Sequence, residues 1–213
     1  VPRSSRTLTR LTVLACLTVA GVVLAACGSG DDRPVSAGQL AGVVRDPPVR
    51  VADVTLPDID GTPRSLRADR GELRLVYFGY TSCPDVCPTT MSDIKVALGD
   101  LPEDQARRVS VTMVTVDPER DTPEVLTDYL DHFFDRFTAL RTEDPGELRA
   151  AAKAFGVQYE VEEHEPGASY EVAHSAVTYV VDDTGTVVVE WPFGFESTDM
   201  ANDLQYLLTK ETP

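Results

Sequence analysis

Three apolar runs stand out along the chain. Leu73-Arg74-Leu75-Val76-Tyr77-Phe78 ends in Gly79, Val109 to Val116 is apolar and rich in β-branched residues, and Phe137 to Leu140 is a short third run. Runs of this length, bounded by turn residues, predict buried strands. Val51 to Leu56 alternates and predicts a further strand before the turn residues Asp58 to Pro63. Between the strands the period lengthens to that of a helix. Thr89 to Leu98 has helical composition up to Gly99, with Thr81-Ser82 offering a cap and Pro84 near the first turn. Thr122-Pro123-Glu124 opens a helix through about Phe134, and Asp144-Pro145-Gly146-Glu147 opens another that ends at Gly156. Ser175 to Val181 and Thr186 to Trp191 flank Asp182-Asp183-Thr184-Gly185, which predicts a hairpin. Met200 to Leu208 closes the chain as an amphipathic helix.

Alternating strand–helix units followed by a hairpin and a helix predict an α/β domain. A mixed central sheet with helices on both faces, in three layers, is the outline of a thioredoxin-like fold.

The first residues are different. Arg3, Arg6 and Arg10 precede Leu11 to Ala26, which carries no charge and is short for a membrane span. This is a signal-peptide pattern, with an uncleaved anchor helix as the alternative. Leu24-Ala25-Ala26-Cys27 resembles the lipobox of bacterial lipoproteins, which implies lipidation of Cys27. The expected organisation is a leader over 1–26, a lipid-attached flexible tether over 27–48 rich in Gly, Ser, Asp and Pro, and a folded domain over 49–213. The expected location is extracytoplasmic, on the outer face of a bacterial cell membrane.

Charge excludes some partners. Against 35 Asp and Glu stand 19 Lys and Arg, a net −16, and loss of residues 1–26 removes three Arg and no acid, giving −19. Such a chain has no footprint for nucleic acid, which needs clustered basic residues.

Cysteine usage then narrows the chemistry. With Cys16 in the leader and Cys27 lipidated, only Cys83 and Cys87 remain as thiols. A domain this long does not need one disulfide for its core, so the pair is read as chemical. It sits where a central strand passes into a helix, and a thiol at a helix N-terminus is expected to ionise readily. Residues four apart on a helix have Cβ atoms ~5–6 Å apart, wide for a relaxed disulfide. A chelated soft metal fits that spacing, and reversible redox work remains open beside it.

Three histidines are present. His132, beside Phe133-Phe134, reads as a partly buried structural residue, and His164, in the acidic stretch 160–165, as solvated, with a supporting role from a mobile loop as the alternative. His174 directly precedes a strand whose entry faces the cysteine motif in folds of this outline. Two sulfurs and one imidazole suit Cu(I) and also hold Cu(II). Zinc would want a fourth donor.

With these residues assembled, the chain resembles the Sco/SenC family. The resemblance rests on Phe78 to Pro88, on Val116-Asp117-Pro118-Glu119-Arg120-Asp121-Thr122-Pro123, and on Tyr170-Glu171-Val172-Ala173-His174-Ser175, and covers about Val51 to Leu208. It implies a membrane-tethered copper chaperone that helps assemble the dinuclear copper centre of cytochrome c oxidase, with Cys83, Cys87 and His174 as the copper ligands. The implied partner is the copper-accepting oxidase subunit, together with a thiol reductant for a Cys83–Cys87 disulfide. Tyr80, Asp85 and Asp117 are the candidates for supporting positions around the ligands. Many relatives carry Asp immediately before the histidine, where this chain has Ala173. The competing reading is a thiol-disulfide oxidoreductase using the same dithiol on the oxidase copper-site cysteines or other exported proteins. Cys-x3-Cys spacing, and a histidine where reductases of this fold carry a cis-proline, weigh against it as the main role. A peroxidase fits poorly, because Tyr80 occupies the place of the threonine three residues before the reactive cysteine.

Overall fold

The computed structural model describes residues 39–165 and 167–210, all within one compact unit. The leader and Cys27 lie outside the described residues.

Five strands form the central sheet: β3 (Leu73–Gly79), β4 (Val109–Thr115), β5 (Phe137–Leu140), β8 (Val177–Val181) and β9 (Val187–Pro192), in the order β5-β4-β3-β8-β9. β3 runs parallel to β4, and β4 to β5; β8 is antiparallel to both β3 and β9. The sheet is mixed, as expected. β3 is buried along nearly its whole length, which explains its unbroken apolar run.

The strands' two faces carry different helices. Phe78 points to one face, where it meets Phe155 of α4 (Pro145–Phe155) at a ring separation of 5.3 Å. Tyr77 points to the other, where it meets Cys87 of α1 (Val86–Gly99). α5 (Ser197–Lys210) joins α1 on that face, with Trp191 of β9 bonded to its Asp203. α3 (Pro123–Asp131) lies there too, since Lys95 of α1 donates to the carbonyl of His132 at its end. α2 (Glu103–Ala106) is a single turn before β4. The thioredoxin-like arrangement of three layers is therefore present.

Local chemistry explains most boundaries. Asp144 accepts from the amides of Gly146 and Glu147 to start α4, and Gly156, at φ 77°, ends it in the left-handed conformation. Thr122 caps α3 by accepting from the amide of Val125.

Three features differ from expectation. A pair of three-residue strands, β6 (Tyr159–Val161) and β7 (Val172–His174), forms a ribbon separate from the main sheet. A second small ribbon joins β1 (Thr55–Pro57) to β2 (Pro63–Ser65) around a turn held by Asp58. The segment read as tether up to residue 48 is packed onto the domain from Leu40 onward. Val43 bridges Glu190 on β9, while the amides of Ala41 and Gly42 donate to the buried carboxylate of Asp203.

Candidate metal centre

β3 delivers the chain to the site at Gly79, and residues 80–85 turn into α1. The helix begins at Val86, so Cys87 lies in its first turn while Cys83 lies in the preceding loop. The two sulfurs are therefore not stacked on one helical face, as the spacing suggested. Asp85, not Thr81 or Ser82, takes the N-cap position, and its side chain makes no cap bond. The sulfur of Cys83 does that work instead, accepting from the amide of Cys87 at 3.4 Å. Pro88 costs nothing here, because an amide in the first turn has no helical acceptor.

β7 brings up the third residue. The Sγ atom of Cys87 stands 3.4 Å from Nε2 of His174. On the other side of the ring, Nδ1 lies 3.2 Å from the carbonyl oxygen of Ser175, a contact that turns Nε2 toward the sulfurs. The ligating atoms of Cys83, Cys87 and His174 all lie within 4.8 Å of one another, and both cysteines are free thiols. Among the described residues no fourth His, Cys, Asp or Glu joins the group.

Burial sets the protonation of this group. Cys87 is fully buried, and burial pushes its thiol up to about 12, although the Tyr77 hydroxyl donates to its sulfur at 3.6 Å. This runs against the expectation that the helix N-terminus makes that thiol acidic: desolvation outweighs the hydrogen bonds that favour the thiolate. Burial also pushes His174 down, so its imidazole is neutral and free to act as a ligand. Tyr80, whose ring meets His174 edge-on at 5.7 Å, is pushed up to about 12 by burial and by Cys83. Half-buried Cys83 opens, with His174 and Tyr80, onto a cleft of about 1200 Å³. Asp85, Glu160, Glu162 and Glu171 give its mouth a negative character, and Arg120 stands among them.

Tyr80 touches His174 directly. Asp85 is exposed at the cleft mouth, with the Thr89 hydroxyl at 3.5 Å. Asp117 is engaged by the Tyr170 hydroxyl at 2.6 Å and by Arg120, and stands behind the ligands rather than on them. Asp121, which sequence reasoning did not single out, is buried and ties the cysteine loop to β4. It accepts from the Thr81 amide and hydroxyl and from the Thr115 hydroxyl. Tyr77, Arg120 and Tyr170 were likewise missed as site residues. Their only sequence signal was position inside or beside the three quoted motifs. His132 is exposed rather than partly buried, its ring turned to the carbonyl of Asp128. His164 is not solvated: it stacks on Tyr170 at 3.6 Å and pairs with Glu119 at 3.2 Å.

Residues 45–209 match the model of the SCO1/SenC family. The chain belongs to that family. Within it, the chain is 38% identical over 117 residues to the SCO2-like protein of Rickettsia prowazekii, covering 54% of this chain and 56% of that one. Less than two thirds of the length of the first curated relatives is spanned in this way. Among solved structures, apo Sco1 of Thermus thermophilus superposes with a TM-score of 0.70 at 36% identity, covering 81% of this chain and 99% of that one. ScoI of Bradyrhizobium japonicum with copper bound gives a TM-score of 0.62 at 30% identity, with 72% and 96% coverage. The SCO1/SenC assignment agrees with the three-layer fold, and with a dithiol and a histidine converging at the carboxyl end of β3.

Proposed function

We propose that this protein is an extracytoplasmic copper chaperone, held to the membrane by a lipid on Cys27, that supplies copper to the dinuclear centre of cytochrome c oxidase. The single observation that carries the reading is the convergence of two thiol sulfurs and one neutral imidazole nitrogen within 4.8 Å. Two soft donors and one borderline donor suit Cu(I) and accept Cu(II), whereas structural zinc prefers four protein ligands. The copper-bound ScoI of Bradyrhizobium japonicum and copper-bound yeast Sco1 support the same cargo. A relative at 24% identity, BsSco, belongs by its description to the Sco family of cytochrome c oxidase assembly proteins, which supports the destination.

The residues divide the work. Cys87 sits deep and holds the ion, while Cys83 and His174 face the cleft, where Cys83 is the ligand an acceptor's own thiol replaces first. Loading expels the thiol protons, and only the reduced dithiol can load. The acidic cleft mouth favours an acceptor with a basic surface around its copper site.

The test is transfer. Copper-loaded protein is mixed with the reduced, copper-free soluble domain of the oxidase subunit, and copper is followed to the acceptor. Appearance of the acceptor's dinuclear spectrum supports delivery. Retention of copper by the donor, with acceptor cysteines converted between disulfide and thiol, supports the second reading instead.

That second reading is a thiol-disulfide oxidoreductase, favoured by the half-buried free thiol of Cys83 beside Cys87. Cys83 attacks a target disulfide to form a mixed disulfide, and Cys87 displaces the target's second thiol. The chain ends with a Cys83–Cys87 disulfide, and an external thiol reductant returns it to the dithiol. His174 is not needed for this chemistry, so His174→Ala separates the two readings.

A further inference from the structure

Cys83 and Cys87 lie on the turn and helix that follow β3, whereas His174 comes from a different part of the chain. It ends β7, in a ribbon that pairs only with β6 and is separate from the five strands. A ten-residue connection, 162–171, joins the two short strands. After His174 the chain enters β8 of the main sheet at Val177, so the side left to anchor is the connection that precedes β7.

Tyr170, four residues before His174, is where the connection enters the body of the protein. Its ring is buried. Its hydroxyl donates to Asp117 at 2.6 Å, and its carbonyl accepts from Nη1 of Arg120 at 3.0 Å. The guanidinium carbon of Arg120 lies 3.8 Å from the centre of the Tyr170 ring, with Nε donating to Asp117. It also lies 5.6 Å from the centre of the Tyr80 ring, which itself meets His174 edge-on. Arg120 thus touches the histidine-bearing segment through Tyr170 and the cysteine-bearing segment through Tyr80. A planar cation that stacks and donates from several nitrogens can make all these contacts at once, and a lysine cannot.

We propose that Arg120 is a positioning residue that, through Tyr170, holds His174 within ligating reach of Cys87. The proposal rests on the reading of Cys83, Cys87 and His174 as a copper site, but its geometric content does not require the metal. Arg120 touches none of the sulfurs and does not itself ligate.

Two readouts test it in the full chain, reduced, with Arg120→Ala. The first uses metal-free protein and follows the magnetic contact between the His174 and Tyr80 rings. Wild type is expected to show it, and Arg120→Ala to lose most of it. The second is a cycle of Cu(I) affinities with His174→Ala. Arg120→Ala is expected to weaken binding about 10–100-fold in the wild-type background, the usual cost of an outer-shell change, and to add nothing in the His174→Ala background. An undiminished ring contact in Arg120→Ala, or an equal loss of affinity in both backgrounds, overturns the proposal. Should wild type bind Cu(I) no better than His174→Ala, the reading of His174 as a Cu(I) ligand fails, and the ring contact still decides the role of Arg120. Tyr170→Phe keeps the stack and removes only the bond to Asp117, so it serves if Arg120→Ala does not fold. A smaller loss with the same dependence on background is expected, and no change in either readout counts against the proposal.

Discussion

Gly79 leaves room for the sulfur of Cys87 that a side chain at position 79 would crowd. A Cβ placed on Gly79 would stand 3.1 Å from the sulfur of Cys87 and 2.5 Å from Cε1 of Tyr77. The glycine ends β3 and lets the buried sulfur lie against the strand. Gly79→Ala is expected to destabilise the fold by about 1–3 kcal/mol through overpacking, and to displace Cys87 or Tyr77. Urea denaturation of the metal-free protein measures the first effect, and copper affinity the second.

The Tyr77 hydroxyl donates to Cys87 from within the core. A donor on a thiolate sulfur withdraws electron density from it and favours the reduced metal. In the proposed copper site, Tyr77→Phe should lower the Cu(II)/Cu(I) potential and shift the thiolate charge-transfer band. Stability should change by only about 1 kcal/mol. Electrochemistry and absorption on the loaded protein check this.

Protonation gives a prediction of definite sign. Burial holds the Cys87 thiol up to about 12, so at neutral pH it keeps its proton until a metal displaces it. Copper affinity should therefore rise about tenfold per pH unit from this thiol alone between pH 6 and 8. His174, pushed down by burial, adds less slope over this range than a free imidazole would. Without metal the dependence reverses. An unfolded cysteine ionises near ~8.5, so the folded state loses stability as pH rises above that value toward 12, and is unaffected by this group below it. Thermal unfolding of the reduced, metal-free protein between pH 7 and 10 should show the fall, and Cys87→Ser should lessen it.

Asp203 fastens the start of the domain. It accepts from the amides of Ala41 and Gly42 at 2.7 and 3.0 Å and from Nε1 of Trp191 at 2.9 Å, while itself buried. Asp203→Ala leaves the buried Trp191 donor unpaired and frees the two partly buried amides, and should cost about 1–3 kcal/mol. It should also expose the segment around residue 42 to limited proteolysis, with the centre of the domain still resistant.

The chain's local chemistry announced much of this architecture. Asp144 and Gly156 bracket α4 because a carboxylate and a left-handed glycine act within a few residues of themselves. The apolar runs of β3 and β4 are legible because both are buried on two faces. The ribbon carrying His174 was not legible. Three-residue strands have no period to read, and their partners lie across an acidic connection. The same limit hid Arg120 and Tyr170, 50 residues apart, whose contact exists only in the folded chain. Cys87 shows a different failure. Its place at a helix N-terminus was readable, but the depth at which that helix start is buried was not, and depth decides its proton.

The most direct test of the Cys83–Cys87–His174 site is titration of copper into the reduced full chain, beside His174→Ala and Cys83→Ser/Cys87→Ser. One tightly held copper per chain is expected, with a thiolate-to-Cu(II) absorption band that the cysteine variant lacks and an affinity that His174→Ala lowers by at least about tenfold. Equal copper binding by wild type and all variants would contradict the copper site and leave the dithiol to redox work alone.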